Sequence, residues 1–107
     1  MTPNSFQKDV LVLVDQIPKG RVVTYKQLAH MLGSRAYRFV GQCVKKNPHL
    51  GKVPCHRVVC SDGSLGGYVL GVDQKKKLLE SEGIVFLKNG KIDLDVYEFM
   101  FAKINQT

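Results

Sequence analysis

The most chemically loaded stretch of the 107-residue chain is Val53-Pro54-Cys55-His56-Arg57-Val58-Val59. Proline beside a thiol, an imidazole and a guanidinium concentrates reactive groups on a stiff turn. A cysteine attacks as its thiolate, and neighbouring positive charge favours that form. His56 is the natural proton acceptor, and Arg57 adds positive potential. A histidine needs an orienting carboxylate or water to fix its tautomer. The acids within reach in sequence are Asp62, Asp73, Glu80 and Glu82. Other readings stay open at this point. Cys55 and His56 can equally be core residues at the start of a strand. His49, Cys55, His56 and Cys60 are metal-ligating types but lack the paired spacing of a zinc site, so no metal is expected. A cysteine hydrolase would also need an oxyanion hole and a further orienting residue, which local spacing does not establish.

The elements that must position this turn can be read from hydrophobic periodicity. Phe6, Val10, Leu13, Val14 and Ile17 line one face of a helix over 5–17, which Pro18-Lys19-Gly20 stops. Arg21-Val22-Val23 is a short extended piece. Thr24-Tyr25-Lys26-Gln27 reads as a capping box that starts a helix running to Gly33. Ser34 is placed to cap a further helix from about Arg35 to Lys46, with Ala36, Phe39, Val40, Cys43 and Val44 on its apolar side. Two helices about a tight turn, over roughly 24–46, make a helix-turn-helix candidate whose second helix carries Arg35, Arg38, Lys45 and Lys46. Helical hairpins also serve as plain packing units.

Asn47-Pro48 ends that helix. A glycine-rich segment over 47–72 follows, with Arg57-Val58-Val59-Cys60 as a strand and Asp62-Gly63 as a turn. Asp73 can cap a short helix to Glu82, closed by Gly83. Ile84–Leu87 and Lys91–Leu94 flank Asn89-Gly90, a strong hairpin signal. Val96–Ile104 is apolar enough to dock on the rest. The expected fold is mainly α with short strands, one helix-turn-helix, winged-helix-like domain over 1–107.

Net charge is +7. Residues 1–57 hold ten basic side chains against Asp9 and Asp15, for +8, whereas residues 58–107 come to −1. A basic half joined to a near-neutral half is what a polyanion-binding face looks like in sequence, although a solvated basic surface gives the same count. No apolar run approaches the roughly 20 residues of a membrane span, and no signal peptide is visible. A cytoplasmic or nuclear protein with reduced thiols is expected, not a secreted or membrane one. Cys43 and Cys60 then read as small buried hydrophobes.

Several blocks in order carry a specific resemblance: Ile17-Pro18-x-Gly20-x-Val22, Thr24-Tyr25-x-x-Leu28-Ala29, Arg38-x-Val40-Gly41 and Asn47-Pro48. Pro54-Cys55-His56-Arg57-Val58-Val59, Gly66-Gly67-Tyr68, Lys75 and Leu78-Leu79-x-x-Glu82-Gly83 continue it. Together they resemble the active domain of the O6-alkylguanine-DNA alkyltransferases, in which methyl and other alkyl groups pass irreversibly from DNA to a cysteine of the protein. The resemblance implies that Cys55 is the acceptor, that His56 reaches it through a water, and that Glu82 orients His56. It makes Asn47 the brace of the turn, Arg38 the finger that fills the gap left by a flipped base, and Tyr25 the donor to guanine N3. Lys75 is placed near the leaving group, the backbone of Cys55 and Val58 on the guanine amine, and Tyr68 in the loop over the pocket. The implied partner is double-stranded DNA containing O6-alkylguanine, bound by a monomer without a cofactor.

There are departures. The family's separate N-terminal domain, with any zinc site it brings, is not represented. Val69 and Leu70 stand where many members have serine and glycine, so a hydroxyl is lost and the bulk of Leu70 is expected to narrow the pocket. Val44 replaces a longer residue. Length and tail also resemble the alkyltransferase-like proteins, lesion binders that carry tryptophan in place of the acceptor. A sequence-specific helix-turn-helix regulator is the third reading.

Overall fold

The apolar stripe near the start of the chain becomes α1 (Asn4–Asp15), with Val10, Leu11 and Val14 buried. The computed structural model describes residues 4–46 and 52–101. Asn47-Pro48, His49 and the end of the tail from Ala102 lie outside the described residues. Pro18 removes a donor after α1, and Gly20 at φ +84 turns the chain back. It returns as β1 (Val23–Thr24), which leads directly into α2 (Tyr25–Met31).

Thr24 is the N-cap, its hydroxyl accepting from the Gln27 amide at 3.0 Å. The expected capping box is only half made. The Gln27 side chain does not return to Thr24 but donates to the Phe99 carbonyl at 2.9 Å, tying the C-terminal strap to this helix. Gly33 at φ +66 ends the turn after α2, and the Ser34 amide reaches back to the Ala29 carbonyl at 2.8 Å.

α3 (Tyr37–Lys45) starts two residues later than the sequence suggested. Ser34 does not cap it. Its hydroxyl accepts from the Ala36 amide, an ST turn that delays the helix, and Ala36 occupies the cap position without a side-chain bond. Val40, Cys43 and Val44 face the core; Ala36 is exposed, and Phe39 stacks on Phe6 of α1 with centroids 5.3 Å apart.

After a 3-10 turn (Cys55–Arg57), β2 (Val58–Val59) pairs parallel with β1, Val23 opposite Val58 and Thr24 opposite Val59. Successive side chains of a strand point to opposite faces. Val23 and Val58 therefore join the core built on α1, α2 and α3, while Val22 and Val59 join a second core with Leu65, Leu79, Ile84 and Ile92. Each such buried aliphatic side chain contributes roughly 1.5–3 kcal/mol. The small sheet is thus the partition between two apolar layers.

α4 (Val72–Ser81) buries Lys75 and Leu79. Its N-cap is Gly71 rather than Asp73, which lies in the first turn and is exposed. The segment around Asn89-Gly90 makes its turn, with Leu87 donating to Lys91 at 2.9 Å, but no ladder follows. The Ile92 amide bonds Gly63 instead, at 2.8 Å, so the second arm leaves its expected partner for the main body. α5 (Leu94–Tyr97) precedes a strap on which Phe99 donates to the Val22 carbonyl and Phe101 is buried.

Gly63 is the position where a side chain is least admissible: φ is +90, and a Cβ would stand 2.5 Å from the Ile92 carbonyl oxygen. Gly33, at φ +66, has open space around it. Urea unfolding should show Gly63→Ala losing about 3 kcal/mol and Gly33→Ala only about 1 kcal/mol.

Candidate active site

Cys55 opens the 3-10 turn that Pro54 sets up, and only 2% of it is exposed. The turn is closed by bonds from Cys55 to the Val53 carbonyl at 2.8 Å and from Arg57 to the Pro54 carbonyl at 3.0 Å. The thiol forms part of the wall of a cavity of about 360 Å³, which Arg38 and Lys45 of α3 also line. Tyr25, Val44, Tyr68 and Val69 line it as well. At that volume it is at the lower end of small-molecule sites.

His56 points elsewhere. It lines a second hollow, of about 320 Å³, with Arg57, Pro54 and Lys52, and it makes no direct hydrogen bond to Cys55. Tyr68 lines both hollows and is the wall between them. Of the four candidate carboxylates, Glu82 is the one that meets His56, with Oε2 2.8 Å from Nε2. Asp62 is held by Ser64 and Lys91, and the Ser64 hydrogen bonds lower its pKa to about 2. Asp73 and Glu80 are exposed.

Glu82 is shared. Arg57 clasps it with two bonds, Nε to Oε1 at 2.9 Å and Nη2 to Oε2 at 2.7 Å, and its Nη1 donates to the Ile17 carbonyl at 2.7 Å. Burial alone would resist ionisation of Glu82. The hydrogen bonds from Arg57 and His56 outweigh it and hold the carboxyl below its ordinary range. Sequence reasoning gave Arg57 only a diffuse positive potential; the structure spends that charge on Glu82. The signal was present in the arginine's fork geometry, which matches a carboxylate, but not in its spacing from residue 82.

Tyr25 is half-buried, and burial, reinforced by the charges of Cys60 and Cys55, raises its pKa to about 12. Its hydroxyl stays a donor at any physiological pH. Burial, and then the Cys55 charge, likewise raises Tyr68.

Of the expected binding residues, Arg38, Lys45, Val44, Tyr68 and Val69 line the thiol cavity, whereas Arg35 and Lys46 are exposed outside its lining. Val58 is buried in the core, and its amide donates to the Cys55 carbonyl. Leu70 is 55% exposed and is not part of the lining, so its bulk does not narrow the cavity. Asn47 lies outside the described residues. Cys60, read as a buried hydrophobe, is instead half-buried and lines the cavity. Alternation along β2 carries the signal, since Cys60 follows Val58 by two and returns to the same face. Among the described residues, no group of three or more His, Cys, Asp and Glu side chains converges as a metal site would require. No helix of theirs is long and apolar enough to cross a membrane.

A cation-bearing helical hairpin set against a hollow walled in part by a buried cysteine defines a helix-turn-helix domain. A family model described as the 6-O-methylguanine DNA methyltransferase, DNA binding domain, matches residues 5–84, and the chain belongs to that family. A methylated-DNA–protein-cysteine methyltransferase of Metallosphaera sedula is 48% identical over 83 residues, covering 78% of this chain and 52% of that protein. A bifunctional methyltransferase/endonuclease of Picrophilus torridus is 47% identical over 88 residues, 81% of this chain and 29% of that one. The chain thus spans about half or less of the length of these curated relatives. The structure of S. pombe Atl1 in complex with damaged DNA containing O6-carboxymethylguanine superposes with a TM-score of 0.79 at 31% identity. That match covers 94% of this chain and 99% of Atl1.

Because the folded-state pKa of Glu82 lies below its ordinary 4.5, its contribution to stability is present above that pH and is lost as the pH falls through the lowered value. Glu82→Gln should cost on the order of 3 kcal/mol at pH 7, by leaving Arg57 uncompensated. It should also flatten the acid limb, as read from urea midpoints between pH 7 and 3.

Proposed function

We propose that the chain is a DNA-repair alkyltransferase that receives an O6-alkylguanine turned out of duplex DNA and takes the alkyl group onto its own Cys55. The observation that carries this reading is the buried thiol in a hollow lined by Arg38 and Lys45 of the helix-turn-helix.

The alkyl group on O6 is inside the base stack, so the nucleotide must be extruded at a cost of a few kcal/mol. Phosphate contacts from Arg35, Lys45 and Lys46 offset that cost, and Arg38 takes the space the base leaves. In the hollow, the backbone of Cys55 and Val58 meets the guanine amine, while Val44, Tyr68 and Val69 pack on the base and its adduct. His56, oriented by Glu82, draws the thiol proton away through a water, and Asn47 braces the turn.

The thiolate sulfur attacks the alkyl carbon. An S–C bond forms, the C–O6 bond breaks, and its electron pair stays on guanine. The Tyr25 hydroxyl, kept protonated by burial, donates to N3 and stabilises the charge that develops there. A thioether has no easy route back to a thiol, so each molecule acts once. The protein works without a cofactor, as a monomer, wherever the genome is held: cytoplasm or nucleus.

A second reading is a lesion binder that holds the flipped base without transfer and recruits another pathway. Its support is the near end-to-end superposition on Atl1.

Incubation with duplex DNA carrying O6-methylguanine should add one methyl to Cys55, read by peptide mass spectrometry. Cys55→Ala should bind the same duplex and stay unmodified. Lesion-dependent binding with an unmodified wild-type Cys55 would decide for the second reading. Arg38→Ala should slow transfer more than Lys45→Ala, which should chiefly reduce the salt dependence of binding, by a slope of about 1.

A further inference from the structure

Lysine is almost never fully buried unless it is paired. Lys75 is 0% exposed, and no acidic partner meets it among the described residues. Its ammonium donates to the Leu65 carbonyl and, at 3.1 Å, to the Gly67 carbonyl. It also stands 5.8 Å from the centre of the Tyr25 ring, within cation–π range.

Both carbonyls belong to a segment without regular secondary structure. No strand ladder satisfies them, and the Lys75 ammonium does so instead. Between them lies Gly66, at φ +72, so close to its neighbours that a Cβ would come 3.1 Å from Cys60 Sγ and 3.3 Å from the Tyr25 ring. Gly66, Gly67, Tyr68 and Val69 form one wall of the thiol cavity, but Lys75 does not line that cavity. Two of its three protons are committed to backbone, away from any bound base.

We propose that Lys75 is a positioning residue: its buried ammonium draws the carbonyls of Leu65 and Gly67 toward α4 and so holds the segment carrying Gly66, Gly67 and Tyr68 as the wall of the thiol cavity, rather than touching the departing guanine. The cavity's use as a base pocket rests on the alkyltransfer reading; the clamp itself does not.

The clamp is sensitive to pH. Burial lowers the Lys75 pKa to about 8, partly opposed by the charges of Cys60 and Cys55. The titratable groups facing it are those two thiols and Tyr25; Asp73 and Glu80 of its own helix are exposed. A charge-assisted hydrogen bond is roughly twice as strong as a neutral one, so the clamp is at full strength below pH 8 and weakens above it.

NMR tests this without any DNA. The carbonyl ¹³C shifts of Leu65 and Gly67 should titrate together near pH 8 in the wild-type protein, and the step should vanish in Lys75→Met. A flat profile in the wild type overturns the proposal, and so does a step that persists in Lys75→Met, since the thiols would then be its source. Amide order parameters at Gly66 and Gly67 should fall from about 0.85 to below about 0.6 in Lys75→Met. Lys75→Arg, charged at every pH, should restore them. With lesion DNA, Lys75→Met should raise the half-saturating concentration at least about tenfold and slow transfer at saturation less than about threefold. The opposite split would make Lys75 a donor to the leaving group. Failure of the wild-type protein to transfer at all would defeat the alkyltransfer reading and leave the NMR result standing.

Discussion

The Arg57–Glu82 ion pair, with His56 on the same carboxylate, is the interaction on which the site depends. It joins three parts of the chain by polar bonds: the Cys55–Arg57 turn, the C-terminal end of α4 and, through the Ile17 carbonyl, the segment after α1. The Glu82 and Arg57 side chains are only 8% and 15% exposed. At that depth an unpaired charge is far more costly than an exposed one, so the pair acts less as added stability than as a demand for one arrangement. Once it is met, His56 is drawn toward Glu82 and Cys55 is left facing the other cavity.

That divergence separates the two reactive side chains. Adjacent residues on a 3-10 turn open into separate hollows with Tyr68 between them. The thiol faces the cationic edge of α3, and the imidazole faces a polar hollow with its carboxylate behind it. Under the proposed alkyl-transfer reading, proton removal and alkyl delivery take place on opposite sides of the Cys55 side chain. The opposite wall is built differently, from glycine-rich backbone whose carbonyls are satisfied by a buried lysine. One side of the turn is tied by an ion pair, the cavity's glycine-rich wall by a cation and two peptide groups.

Local signals were legible where the physics is local. The stripe of α1, the Thr24 cap and the stop at Gly33 depend on neighbours within about four residues, and all three are found in the structure. Signals failed where a distant partner outbid a near one. Gln27 completes no capping box because the Phe99 carbonyl accepts its side chain. The arms around Asn89-Gly90 form no ladder because Gly63 takes the Ile92 amide. Ser34 closes its own turn instead of opening α3. In the site, Cys55, His56, Tyr25 and Tyr68 were identifiable by type and motif. The Arg57 clasp, the place of Cys60 in the cavity wall and the outward course of Leu70 were not, since each depends on which face the backbone presents.

The inventory is legible in the sequence alone: a basic first half, a helical hairpin, one proline-set thiol beside an imidazole, and a family pattern spread along the chain in order. These follow from residue type and short-range spacing, which survive in one dimension. The family pattern already pointed to Glu82 as the partner of His56. The packing decided that Arg57 shares that carboxylate, that Cys55 and His56 face separate hollows, and that Lys75 spends its protons on backbone. Those outcomes are set by burial. Charges and peptide groups removed from water must find partners, and the partner is whichever group the packing of α1, α4 and the two-stranded sheet brings within reach, however far away it lies in the chain.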